Sequence, residues 1–157
     1  MWLVSTFEKN YLRKIFFVST FLDWYKLLTI GKIDIEKYQK VTEKTILTDE
    51  VIITNNRIEH IIERRGLYFY NEYKKYFSEI VFNPDYIFKD VRENTALVSK
   101  RINHNGNNIN IVIKLVVEGE NINYKNSIIT VIKENEKRFA QRLRNNSPVY
   151  RNIDNDE

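Results

Sequence analysis

A chain of 157 residues with a formal charge of +4 and no cysteine has the length of one domain and cannot build disulfides, thiolate zinc sites or a cysteine nucleophile. Two histidines, His60 and His104, are too few for a His-rich metal site, and no tight Asp/Glu pattern points to a carboxylate Mg²⁺ site. Neither a metal nor a cofactor is therefore expected. Ten tyrosines, nine phenylalanines and a 43% hydrophobic content favour a packed core over disorder, while the mild basic excess permits a polyanion partner without requiring one.

In chain order, Ile15–Val18 is apolar but sits among Glu8, Lys9, Arg13 and Lys14, which is not the order of a signal peptide. No apolar run reaches bilayer length, so a cytoplasmic setting without membrane contact is expected. The first fifty residues form either an extension or the first elements of the domain; Ile15–Val18 fits a helix or a strand equally. Lys26–Ile35 reads as extended, with Gly31 expected to turn the chain. Val51-Ile52-Ile53 is a β-branched run, and Thr54-Asn55-Asn56 offers helix caps. A helix over Arg57–Arg65 comes next, with Ile58, Ile61 and Ile62 on one face and Gly66 as its stop. Tyr73, Tyr76, Phe77 and Ile80 predict a second helix over Tyr70–Val81, ended by Asn83-Pro84-Asp85.

From Tyr86 onward the chain reads mainly as sheet. Tyr86–Lys89 and Thr95–Ile102 have the character of strands, and Asn103–Asn108 with Gly106 that of a hairpin turn. Ile109–Val117 alternates isoleucine, leucine and valine with Asn110, Val112, Lys114 and Val116. After a turn at Glu118–Asn121, Ser127–Lys133 is a strand and Glu136–Arg144 a helix that ends before Pro148; Asp154–Glu157 is an acidic tail. The order predicts an α+β fold in which early helices pack on one antiparallel meander sheet and a late helix completes the domain.

His60 and Arg64, four apart on the predicted helix, share a face, with Arg57 beside them. Imidazole exchanges protons near neutral pH, and guanidinium holds phosphate through a planar fork. That pairing suits phosphodiester cleavage through a 2′-hydroxyl. On spacing alone, a solvated face is the commoner meaning of such a helix. His104, in an Asn/Gly-rich turn, is read as non-catalytic. Ser127 and Thr130 could offer hydroxyls to a phosphate, yet an odd separation places them on opposite sides of a regular strand. Lys137, Arg138, Arg142, Arg144 and Arg151, with Glu136 their only acid, describe a helix that could track a phosphate backbone or simply face solvent. Phosphate-binding Gly-rich loops, serine nucleophile elbows and metalloprotease helices are absent from the sequence.

Across residues 49–151, about two thirds of the chain, the sequence resembles the phage-type nuclease family of the barnase–EndoU–colicin–RelE-like fold (PBECR-type domains). The stretches that carry it, in order, are DEVIITNNRIEHIIERRG, YFSEIVFNPDYIFKD, NTALVSKRI, NINIVIKLVV, KNSIITVIKENEKRFAQRLRN and PVYR. The resemblance implies helices packed on one antiparallel sheet, with the nuclease-like domain over residues 51–151 and the acidic tail over 152–157. It implies RNA cleavage without metal, with His60 and Arg64 in the site and Thr95, Lys100, Ser127, Thr130 and Tyr150 contributing hydroxyl or basic groups.

The expectation is thus an RNA endonuclease. His60 would act as general acid or base and Arg64 would stabilise the phosphorane. Ser127 or Thr130 would orient the phosphate, and Lys100 or the helix bearing Arg138 and Arg142 would hold the strand. Its partner would be RNA, tRNA among the candidates, with an antitoxin or host-defence protein also in view; a phage-encoded chain would act in the host cytoplasm. Where the family often has a second helical histidine, this chain has Arg65, which cannot titrate near neutral pH. That substitution motivates the alternative: a catalytically weakened domain of the same fold that binds a protein or nucleic acid, such as a phage anti-defence factor.

Overall fold

Alternation of branched apolar residues with polar ones makes strands of the second half of the chain, and the computed structural model, which describes residues 27–102 and 106–155, shows them in one sheet. The elements are β1 (Leu27–Lys32), α1 (Ile35–Tyr38), β2 (Glu50–Thr54), α2 (Asn55–Arg65), α3 (Leu67–Tyr73), α4 (Phe77–Phe82), β3 (Tyr86–Lys89), β4 (Thr95–Ile102), β5 (Asn107–Lys114), β6 (Asn126–Glu134), α5 (Glu136–Asn145) and β7 (Tyr150–Arg151). The seven strands run β1-β2-β6-β5-β4-β3-β7. All pairings are antiparallel except β2 with β6, which is parallel because α2–α4 and three strands intervene before the chain returns. The fold is α+β, as the element order predicts.

Register assigns the two faces. Ile87, Val98, Ile111 and Val131 stand in line across β3, β4, β5 and β6. With Ala96, Ile109, Ile113 and Ile128 they join Ile61, Tyr70, Tyr73, Phe77 and Ile80 of α2–α4 in the main core. The next rung, Phe88, Leu97 and Val112, faces the other way and meets Phe139 and Leu143 of α5 in a smaller cluster. Among the described residues the sheet is therefore covered on both faces, thickly by α2–α4 on one and by α5 on the other.

Several local expectations change. The predicted Tyr70–Val81 helix is two α segments joined by a 3₁₀ turn at Lys74–Tyr76. It begins at Leu67 because Gly66, at φ 94°, both closes α2 and opens α3. Gly31 does not turn the chain. It lies inside β1 at a bulge, where a Cβ would come within 2.7 Å of Ser78 Oγ of α4. Beyond Lys114 the chain leaves the β5 ladder, and Val117 bridges to Ile46 instead. The Asn126 amide closes this gap: it accepts from Val116 N–H at 2.8 Å and donates to Thr48 O at 2.7 Å. The readings made on residues 1–26 and on His104 lie outside the described residues.

Candidate functional site

Thr54 caps α2, its hydroxyl accepting from Arg57 N–H at 3.3 Å. Ile61 is buried in the main core, with Ile58 and Ile62 packed beside it. This orientation leaves Arg57 and Arg64 exposed on a flank of the helix, with His60 half-buried next to them. His60 makes no hydrogen bond or ion pair with another described residue, so no carboxylate among them orients its ring.

The hydroxyls expected to complete the site lie elsewhere. A bulge in β6, where the register slips between Val112 and Ile113, brings Thr130 opposite Val112 and Ser127 opposite Lys114. One extra residue thus puts Ser127 and Thr130 on the same face, against the expectation for a regular strand. That face is the one covered by α5, whereas α2 packs on the other. The sheet therefore stands between the His60–Arg64 pair and both hydroxyls. Thr95 is on the α5 face but buried, its hydroxyl donating to Glu93 O at 2.9 Å. Lys100 faces the main core side. Its Nζ donates to Asn83 O at 2.8 Å, just past the C-terminus of α4, and lies 3.5 Å from Asp85 and 3.8 Å from Glu79. Tyr150 packs against the main core, with Lys37 Nζ 5.4 Å from its ring centroid.

Helix α5 gathers more polar chemistry than any of these positions. The Asn135 side chain caps it by accepting from Arg138 N–H at 2.9 Å. Arg142 turns inward and grips Glu134 through two hydrogen bonds of 3.1 Å, while Asn110 Nδ2 donates to the same carboxylate at 2.5 Å. Ser99, paired in register with Asn110, is fully buried, and its hydroxyl and the Asn110 carbonyl oxygen have no hydrogen-bond partner among the described residues. Glu136 is taken by Arg101. What remains outward on α5 is Lys137, Arg138, Gln141, Arg144 and Asn145, all exposed. None of the three cations makes an ion pair with a described residue, and no carboxylate interrupts them.

Between α5 and the β3–β5 surface lies a cleft of about 250 Å³, lined among others by Tyr86, Arg101, Asn108, Phe139, Ala140 and Asn152. Sequence reading passed over Tyr86, Ser99, Arg101, Asn108 and Glu134. Ser99, Arg101, Asn108 and Asn110 occupy the alternate positions that a half-buried strand gives to solvent, so the only signal they carried was that of a wet face. The position of α5 turns this wet face into a cleft. Among the described residues, no group of His, Asp or Glu side chains is placed to hold a metal ion, and no helix is long and apolar enough to cross a membrane. No protein-family model, curated protein or solved structure matches this chain.

Proposed function

We propose that this domain binds RNA, and that the outward face of α5 is where the phosphates lie. The observation that carries the reading is a helix face of Lys137, Arg138, Gln141, Arg144 and Asn145 whose neighbouring acids are already neutralised, Glu136 by Arg101 and Glu134 by Arg142. Unpaired cations spaced along a helix release counterions when they meet a phosphate backbone, and amide side chains add hydrogen bonds without sequence preference. The resemblance read from the sequence supplies the polymer class, and Arg138 belongs to the basic C-terminal set expected to hold the strand; Arg142 is instead a structural residue. Binding of a short single-stranded RNA, monitored by fluorescence anisotropy over a salt series, tests the reading. Replacing Lys137, Arg138 and Arg144 together by Gln should lower the slope of log K against log salt by about 2, at roughly 0.7 per lost phosphate contact. An unchanged slope sinks the assignment to α5.

Cleavage is a second reading, and the Arg57–His60–Arg64 flank of α2 favours it. An imidazole without a partner among the described residues, beside two exposed guanidiniums, has the parts to move a 2′-hydroxyl proton next to a phosphate. It would act without Ser127 and Thr130, which lie across the sheet. His60→Ala should then slow RNA cleavage in EDTA by about 10²–10⁴-fold. Cleavage that survives the substitution removes His60 from the chemistry, and cleavage missing from the native chain at high concentration leaves binding as the function.

A further inference from the structure

The cleft beside α5 is a different kind of site from the helix face. Its charged groups are spoken for: Asp85 lies 3.5 Å from Lys100 Nζ and accepts from Arg101 N–H at 2.9 Å, and Glu136 is paired with Arg101. A cleft so balanced has no surplus cation for a phosphate. It does have an open amide. Asn108 is only 5% exposed and lines the cleft, and its side-chain amide makes no hydrogen bond to a described residue, which leaves it open to pair with whatever the cleft holds. Asn152 uses its carbonyl oxygen to accept from Asp154 N–H at 3.2 Å, which leaves its NH₂ group for a ligand. Tyr86 and Phe139, edge to face with centroids 5.3 Å apart, supply the aromatic surface. Beneath them in the sheet lie the Ser99 hydroxyl and the Asn110 carbonyl, both buried without a hydrogen-bond partner among the described residues.

We infer that the cleft receives one unstacked nucleobase from the strand whose phosphates run along α5, a proposal that rests on the α5 reading. A neutral planar heterocycle matches each feature: a volume below the roughly 300–1,000 Å³ of drug-sized sites, aromatic walls, and amides that pair with base edges in either polarity. The helix geometry links base to backbone. At about 3.6 residues per turn, Lys137, Ala140 and Arg144 succeed one another along a single edge of α5, and Ala140 lines the cleft. The two cations therefore stand at its rim. A base held there must be out of its stack, so the ligand is single-stranded RNA and not duplex.

Ala140→Phe tests this by filling the cleft from an exposed helix position, with Asn152→Ala as a second variant that removes a donor without adding bulk. The probes are eight-nucleotide RNA homopolymers of each base, a blunt RNA duplex, and free adenosine and uridine. The native chain should prefer at least one single strand to the duplex. Ala140→Phe should weaken that strand about 5- to 150-fold, the range for losing one stacked base, with the salt slope unchanged. Free nucleoside, which has no phosphate, should shift the side-chain amide NMR signals of Asn108 and Asn152. Equal affinity for duplex and single strand, native affinity in both variants, or a loss accompanied by a lower salt slope overturns the base pocket. Failure of the α5 reading has its own mark, an unaltered salt slope in the triple Gln variant, and the nucleoside titration still judges the cleft in that case.

Discussion

The two faces of the sheet come from the same strands, read at alternate residues, and they are built for different ends. Toward α2–α4, β4 and β5 present Ala96, Val98, Ile109, Ile111 and Ile113, all fully buried. Toward α5 the same strands present Leu97 and Val112, but also Ser99, Asn108 and Asn110, and β6 adds Glu134. Apolar burial stabilises at about 25 cal/mol per Å², whereas a buried polar group is at best neutral unless every donor and acceptor is matched. On the α5 face they are not all matched. A surface that gives up packing for polar groups and then stops short of satisfying them is where a ligand has a place.

The comparison predicts an order of mutational effects. The largest belongs to the helical face: Ile111→Ala, which opens a cavity under α2–α4, should cost about 2–5 kcal/mol in chemical denaturation. A loss below about 1 kcal/mol would mean that this face is not the main core. On the α5 face, Glu134→Gln removes the charge that pairs with Arg142 while keeping the shape. Arg142 is partly exposed and water can replace some of the lost interaction, so the expected loss is smaller, about 1–3 kcal/mol. If Glu134→Gln proved as damaging as Ile111→Ala, the ion pair rather than the apolar core would be the chief fastening of the fold.

Asp90, in the turn between β3 and β4, belongs to neither face and serves as a reference for acid stability. Burial alone would raise its carboxyl, but Arg92 overcomes this through a side-chain bond of 2.7 Å and a backbone N–H at 3.1 Å, and holds the group below its ordinary value. A depressed carboxyl contributes stability above its unfolded pKa, near about 3.9, and that contribution is lost as pH falls through the lower, folded value. Asp90→Asn should therefore lower the neutral plateau of the stability curve by the contribution that the Arg92-paired carboxylate makes there, and flatten its acid limb below about pH 4. A variant that kept the native acid limb would show that the Arg92 contact does not persist in solution.

Much of the fold was legible in the sequence because its signals are local. The Thr54 cap and the Gly66 stop define α2, and the isoleucine alternation defines β5. Pro84 then marks the end of α4, and Pro148 lies just past the end of α5. What was not legible depends on contacts distant in the chain. Whether Asn110 faces water or Glu134 is decided by where α5 lands, twenty-six residues after it, and whether Ser127 and Thr130 share a face is decided by a single bulge. For the same reason His60 and Arg64 could be read as neighbours on α2, while their separation from the sheet hydroxyls could not. Lys100, implied by the resemblance, and Arg142, one of the basic C-terminal set, were both expected to hold the strand, and in the structure their charge is spent on Asn83, Asp85 and Glu134.

The smallest predicted effect separates the faces most sharply. Ser99 is 0% exposed and its hydroxyl has no partner among the described residues. In a part of the molecule selected only for stability such a group would be replaced, because its desolvation is not recovered. Ser99→Ala deletes the oxygen and leaves a cavity smaller than a methyl group, so stability should hold or rise by up to about 1 kcal/mol. On the helical face, by contrast, every truncation should destabilise. The decisive readout is the pairing of two measurements on one variant: a denaturation midpoint at or above the native one together with weakened single-strand binding places Ser99 beneath a working cleft. A stability loss of about 1 kcal/mol or more would instead make the hydroxyl part of the core, and the two faces would then differ in composition without differing in purpose.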